Sequence, residues 1–371
     1  MNIVVVGGGL AAANAVQELR AQGYEGDLTL VGAESHLPYE RPPLSKGLLL
    51  GSAKPDSVFA HDAEWYAEHQ VELVLGSGVD ALDLDRGRVT MAGRELPYDR
   101  LLLATGATPR RLPIADEAGV PVTYLRTLDD SVALKERLTG RIVIVGAGWI
   151  GLEVAAAARE AGAEVTVVEQ ASQPLEAALG AEVGALFADL HRAHGVDLRL
   201  GASVDPETLA SADLVVVGIG ARPADDLARE AGLACDDGVL VDASLRASEP
   251  HVFAAGDVAR QDHPLLGRLR VEHWDAAIHQ GKHAARAMLG DDAAYDRMPY
   301  FFTDQYDLGM EYVGHVGPEG YDEVVIRGDR EALNVRVFWL RAGTVVAGMH
   351  LNDWDAIDPL RAAIGGPLPS D

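Results

Sequence analysis

The chain has 371 residues, 48% of them hydrophobic, a mean hydropathy near zero (+0.03), and 57 acidic against 31 basic side chains, a formal charge of −26. That length fits two or three domains, each able to bury its own core, and the charge argues against general binding to nucleic acid or an anionic membrane surface. The single cysteine, Cys235, excludes a disulfide framework, an intrachain redox-active cysteine pair and a cysteine zinc cluster.

Met1 runs straight into an apolar stretch with no basic segment before it, and no window reads as a membrane span, so a cytoplasmic protein is expected. Residues 2–6 form the first predicted strand. Gly7-Gly8-Gly9-Leu10-Ala11-Ala12 is the turn after it, 14–22 a helix, 28–31 the next strand, and Glu34 follows shortly. The next stretch, Pro38-Tyr39-Glu40-Arg41-Pro42-Pro43-Leu44-Ser45-Lys46, is rich in proline, which fixes φ and disfavours helix in the preceding residue. A stiff, extended loop is expected there, holding Arg41 and Lys46 at the C-terminal end of a parallel strand, where open α/β sheets bind ligands.

Short strands are expected over 71–75, 87–91 and 95–103. The last delivers Thr105-Gly106 at its end, with Arg110 beyond, and glycine there leaves room for a cofactor to meet backbone. Residues 125–135 read as a connector and a capped helix.

A second nucleotide pattern follows. The β-branched run over 142–145 leads into Gly146-Ala147-Gly148-Trp149-Ile150-Gly151, then an Ala-rich helix and a strand ending on Glu169. In such a turn the first glycine makes the tight strand-to-helix corner, the second lets backbone approach a pyrophosphate, and the third lets helix pack on strand. The phosphates rest on the helix N-terminus. Glu169 is placed to accept hydrogen bonds from a ribose diol and to repel a 2′-phosphate, which favours NAD(H) over NADP(H). One such turn is weak evidence; two complete strand-turn-helix-strand-acid units imply two dinucleotides.

After a helix and strand over 170–201, a buried strand ends on Gly220, and the chain returns through 238–242 to Val252-Phe253-Ala254-Ala255-Gly256-Asp257-Val258. The Asp257 carboxylate can accept from a polyol hydroxyl such as a ribityl chain, and a helix N-cap role is compatible with this. A long helix begins near Trp274 and runs to about Leu289.

The motifs PYERPPLSK, LLLATGATPR, VIVGAGWIGLEVA, VFAAGDVA, VEHWDAAIHQGKHAA and PYFFTDQYDLGMEYVGH together resemble those of FAD- and NADH-dependent ferredoxin reductases, the reductase components of P450, aromatic-ring dioxygenase and rubredoxin systems. They are also similar to apoptosis-inducing-factor-like proteins. The resemblance spans nearly the whole chain. It implies an α/β fold with two Rossmann-like domains, the NAD domain (111–235) inserted in the FAD domain (1–110 and 236–297), and a small α+β C-terminal domain (298–371) with antiparallel strands over 322–326, 332–339 and 344–351.

Residue by residue, it puts Gly7, Gly9, Ala12 and Glu34 on the adenosine half of FAD, with Arg41, Lys46, Thr105, Gly106, Arg110, Gly256 and Asp257 along the remainder. NAD falls to Gly146, Gly148, Gly151, Glu169 and Gly220. Lys46 lies where the family keeps a lysine near the flavin N5, Glu153 where it keeps a glutamate near the nicotinamide, and Trp274 where it keeps an aromatic beside the isoalloxazine; these three are the expected catalytic residues. No metal is expected. The chain departs from the family in Phe302, often Trp, and in Gln170, Ser172 and Gln173, where many members carry an arginine; the missing cation counts further against NADPH.

Transfer between the two cofactors needs the nicotinamide C4 held about 3–3.5 Å from flavin N5, a positioning task. With one cysteine there is no thiol pair to take the electrons, so they are expected to leave the molecule to a one-electron iron-sulfur carrier. Residues 260–286 offer five cations (Arg260, Arg268, Arg270, Lys282, Arg286) against three acids (Asp262, Glu272, Asp275), and are the expected docking patch around Trp274; an ordinary mixed helix face is the plainer reading. An NADH oxidase or quinone reductase, and a redox-signalling flavoprotein of the apoptosis-inducing-factor type, remain as alternatives.

Overall fold

The computed structural model describes residues 1–317 and 319–370. They form two compact units: one from 1–40, 58–108 and 222–299, the other from 41–57, 109–221 and the chain from 300 onward.

The first unit is built on a five-stranded sheet in the order Val252–Ala254, Arg100–Leu103, Ile3–Val6, Leu28–Gly32, Val71–Leu75, with every neighbouring pair parallel. Its strands Ile3–Val6 (IVVV), Leu28–Gly32 (LTLVG) and Val252–Ala254 (VFA) are buried at every position and show no apolar–polar alternation, the pattern of a parallel sheet covered on both faces. Helices Leu10–Ala21 and Trp274–Met288 pack on each other so closely that a Cβ on Gly281 would lie 2.3 Å from the Ala11 carbonyl oxygen. Two three-stranded sheets complete the unit.

The second unit repeats the plan with Asp197–Arg199, Glu164–Val168, Arg141–Val145, Leu214–Val217 and Val122–Thr123, again all parallel. Its helix Leu128–Lys135 starts at a full capping box between Thr127 and Asp130. The same unit holds an antiparallel sheet in the order Tyr300–Gln305, Leu308–Gly314, Thr344–Leu351, Asn334–Arg341, Glu323–Asp329. Trp339, fully buried in that sheet, donates its indole N–H to the Leu179 carbonyl at 3.2 Å.

Three expectations need correction. The proline-rich stretch is not extended: Pro42–Ser45 is a 3₁₀ turn with proline in its first positions, where the missing N–H costs nothing, and Gly47–Leu50 continues as a helical turn. The strand expected over 95–103 is two, Arg94–Pro97 and Arg100–Leu103, parted where the Asp99 carboxylate accepts the Asn2 N–H at 2.6 Å. The C-terminal sheet has five strands where three were expected, the added pair being the hairpin of Tyr300–Gln305 and Leu308–Gly314, whose turn places Tyr306 at φ +57°.

Candidate functional site

In the first unit Val6 and Ala254 both pair in register with Leu103, so Gly7, Thr105 and Gly256 emerge together from the C-terminal edge of the parallel sheet. Gly7 sits at φ +127°, and a Cβ there would fall 2.0 Å from the Ala104 carbonyl oxygen, so only glycine fits. Gly9 caps the helix Leu10–Ala21, and its own missing Cβ would meet nothing within 4 Å. Ala12 is wholly buried beneath. The Glu34 carboxylate accepts from the Tyr39 hydroxyl.

Around that edge, Thr105 Oγ1 donates to the Ala224 carbonyl at 2.7 Å, and the carbonyl of Gly106 (φ +73°) accepts the Ala224 N–H at 2.8 Å. The Gly256 N–H donates to Gln280 Oε1 at 2.9 Å, and Asp257 follows in a short 3₁₀ turn whose carbonyl accepts Arg270 Nη1 at 3.1 Å. Trp274 opens its helix one residue before Asp275, and the buried Asp275 carboxylate takes both arms of Arg297, at 2.7 and 2.8 Å.

The second unit holds the other turn. A Cβ on Gly146 (φ +101°) would lie 2.4 Å from the Gly218 carbonyl oxygen, and one on Gly151 would lie 2.0 Å from the Gly146 carbonyl oxygen. Gly148 caps the helix Trp149–Glu160, and the nearest atom to its missing Cβ is 3.9 Å away. Glu169 is clamped by backbone: one carboxylate oxygen accepts the Ala147 N–H at 2.7 Å and the other the Ala171 N–H at 2.8 Å. Gly220 (φ +92°) accepts the Arg110 N–H at 2.9 Å, and the Arg41 guanidinium donates to the Arg126 carbonyl.

Lys46 and Glu153, 107 residues apart, meet in this unit: Lys46 Nζ donates to Glu153 Oε1 at 2.7 Å, with the carboxylate almost fully buried. Two groups absent from the sequence reading share that carboxylate. Ser45 Oγ donates to Oε2, and Thr303 Oγ1 donates to Oε1 at 2.5 Å. Ser45 lies next to a singled-out lysine and Thr303 within the motif PYFFTDQYDLGMEYVGH, but neither signal marks a partner 108 or 150 residues away. A buried carboxylate so provided with donors is held in one orientation, and losing the lysine would strand a buried charge at about 3–5 kcal/mol.

Both glycine-rich turns thus present a helix N-terminus without a side-chain cap, with its free N–H groups and positive dipole end, and no protein atom crowds the missing Cβ of Gly9 or Gly148. That is the cradle a dinucleotide pyrophosphate requires, and the residues fit two such groups. Burial, together with the nearby Asp225 carboxylate, pushes the Cys235 thiol up and away from a reactive thiolate. Among the described residues no cluster of His, Cys, Asp or Glu could hold a metal, and no helix is long and apolar enough to cross a membrane.

The stretch over 260–286 is less cationic in place than by count. Arg260 pairs with Asp236 at 2.5 Å, Arg268 with Asp262 at 3.7 Å, Arg270 with Asp237 and Glu272, and Arg286 with Glu18 at 2.9 Å. Asp236, Asp237 and Glu18 come from outside the segment and offset its positive excess.

Residues 1–281 match the model of the pyridine nucleotide-disulphide oxidoreductase family, and 300–367 that of the reductase C-terminal domain. The ferredoxin–NAD(+) reductase component of the anthranilate 1,2-dioxygenase system of Burkholderia cepacia is 40% identical, over 99% of this chain and 95% of its own. Putidaredoxin reductase of Pseudomonas putida is 37% identical, over 93% and 87%. Among solved structures, the covalent putidaredoxin reductase–putidaredoxin complex superposes with a TM-score of 0.90 at 36% identity, covering 97% of this chain and 91% of that one.

Proposed function

This chain belongs to the pyridine nucleotide-disulphide oxidoreductase family, and from that premise we propose that it is an NADH-dependent ferredoxin reductase, an FAD enzyme passing electrons to a small iron-sulfur carrier of an oxygenase system. The observation that carries the reading is the pair of helix N-termini capped by Gly9 and Gly148, each without a side-chain cap and with no protein atom nearer than 3.9 Å to the missing Cβ, in a chain without a second cysteine. Bound FAD would accept two electrons from NADH and release them singly, so that one NADH reduces two carrier molecules and leaves NAD⁺ and one proton.

The rest is done by the chain's own residues. Gly7, Gly9 and Ala12 shape the FAD pyrophosphate site, with Glu34 for the adenosine ribose and Thr105, Gly106, Gly256, Asp257 and Trp274 along the remaining cofactor. Arg41, Lys46 and Arg110 are proposed as further residues along FAD. Gly146, Gly148, Gly151 and Gly220 shape the NAD site. Glu169, already oriented by two backbone N–H groups, keeps lone pairs for a ribose diol. Lys46 and Glu153 are proposed as the pair that orients the reacting rings. The domain reading, an NAD domain set within an FAD domain and followed by a C-terminal domain, belongs to the same proposal, as does a cytoplasmic location, where NADH is at hand.

Docking is proposed around Trp274 within 260–286. Arg268 is the cation to reverse there, because Arg270 also holds the Asp257 carbonyl and its loss would disturb the site. Arg268→Glu is expected to slow carrier reduction several-fold while leaving ferricyanide reduction unchanged; equal effects on both would remove the docking face. Glu169→Ala is expected to weaken the preference for NADH, read as the ratio of kcat/KM with NADH and NADPH. The decisive experiment is anaerobic titration with NADH followed by mixing with a panel of [2Fe–2S] ferredoxins. Fast carrier reduction supports the reading, and a purified chain that shows no flavin absorbance and regains none on reconstitution ends it.

A further inference from the structure

Glu153 stands at the end of a line of buried polar side chains leading away from Lys46. Thr303, Gln305 and His191 are each at most 1% exposed, in a part of the second unit where apolar side chains would fill the space without any need for partners. They come from the strand Tyr300–Gln305 and the helix Ala181–Ala193, while Glu153 lies on Trp149–Glu160.

Their hydrogen-bond roles follow one from another. A carboxylate paired with a lysine can only accept, so the Thr303 hydroxyl gives its proton to Glu153 Oε1 at 2.5 Å. The threonine oxygen then accepts from Gln305 Nε2 at 3.2 Å. With its nitrogen turned to Thr303, Gln305 presents its carbonyl oxygen to His191 Nε2 at 2.8 Å, which must therefore carry the imidazole proton. His191 Nδ1 is left as an acceptor, and the Tyr306 hydroxyl stands 3.4 Å from it, its ring stacked on His194 at 3.7 Å. Burial drives the His191 pKa down to about 4, in keeping with a neutral ring that donates from one nitrogen only. Every donor in the line points the same way, toward Glu153, so each bond polarises the next.

We propose that Thr303, Gln305 and His191 form a positioning relay for Glu153: a one-way hydrogen-bond line that fixes which face of its carboxylate meets Lys46, and so sets where the lysine ammonium stands. It rests on the proposed reductase reading, in which Lys46 and Glu153 serve the reacting rings. Ser45 restrains the other carboxylate oxygen, and the relay restrains Oε1, the one bonded to Lys46. Each relay residue reaches the lysine through Glu153.

The test uses the holoenzyme in three variants. Thr303→Val keeps the shape and removes the hydroxyl, Gln305→Met keeps the length and removes both polar ends, and Thr303→Ser restores the hydroxyl alone. In rapid mixing with NADH, the first two are expected to lower the rate constant for flavin reduction about tenfold with the Kd for NADH within about twofold, because misplacement of a reacting group costs rate and not binding. Thr303→Ser is expected to recover wild-type rates. An independent readout is the side-chain ¹⁵N spectrum of His191, which needs no turnover: the Nε2–H tautomer is expected in the wild type, and Thr303→Val, one residue removed along the line, is expected to shift it. Unchanged reduction rates, a loss not recovered by serine, or a His191 resonance indifferent to Thr303→Val would each overturn the relay. A wild-type enzyme that NADH does not reduce at all would instead sink the reductase reading, and the His191 spectrum alone would then decide whether the line is coupled.

Discussion

The two glycine-rich turns share a pattern but not the reasons for it. In both, the first glycine is required by protein: Gly7 closes against the Ala104 carbonyl and Gly146 against that of Gly218. In both, the middle glycine is required by nothing in the protein, since a Cβ on Gly9 would meet no atom within 4 Å and one on Gly148 none nearer than 3.9 Å. The third position divides them. In the first turn it is Ala12, buried without conflict; in the second it is Gly151, whose Cβ would run into the Gly146 carbonyl, because that helix lies tighter on its own turn. The acids differ as well, Glu34 bonding a tyrosine hydroxyl and Glu169 two backbone N–H groups, one from the glycine-rich turn at Ala147 and one from its own loop at Ala171. One motif thus holds a corner, an open position and a packing contact, and only the middle glycine has no protein contact that requires it.

The two turns differ most sharply at the third position. Gly151→Ala is expected to destabilise the second unit by about 3 kcal/mol, as overpacking against backbone does, and to abolish tight NADH binding; a chain with unchanged thermal unfolding would refute the packing account. The middle glycine should behave in the opposite sense. Gly148 has φ −79°, which any residue accepts, so Gly148→Ala is expected to leave unfolding within about 0.5 kcal/mol of wild type while weakening NADH about tenfold, or 1.4 kcal/mol, by calorimetric titration. Loss of stability with binding intact would reverse the assignment. The smallest effect is expected at Ala12→Gly, about 1 kcal/mol from helix propensity alone, with FAD content unchanged; loss of flavin would show that the third position of the first turn also meets the cofactor.

Much of this was legible along the chain because it is local. Both strand-turn-helix-strand runs, the Thr127 cap and the helix opening at Trp274 depend on neighbours within a few residues, where apolar runs, glycine spacing and capping chemistry act directly. The hairpin at 300–314 is not legible along the chain, because its first strand mixes Thr, Asp and Gln with aromatics, and a strand buries such polar residues only when distant partners take their hydrogen bonds.

By itself the sequence determined the two parallel nucleotide folds and the absence of a thiol pair, since each follows from residue type and short-range spacing. Only the tertiary structure decided that Ser45, Lys46 and Thr303 converge on one buried carboxylate and that acids at 18, 236 and 237 offset the cations of 260–286. Hydrogen bonds and ion pairs act over a few ångströms of space, and which residues come that close is set by the packing of whole elements, which no spacing along the chain encodes.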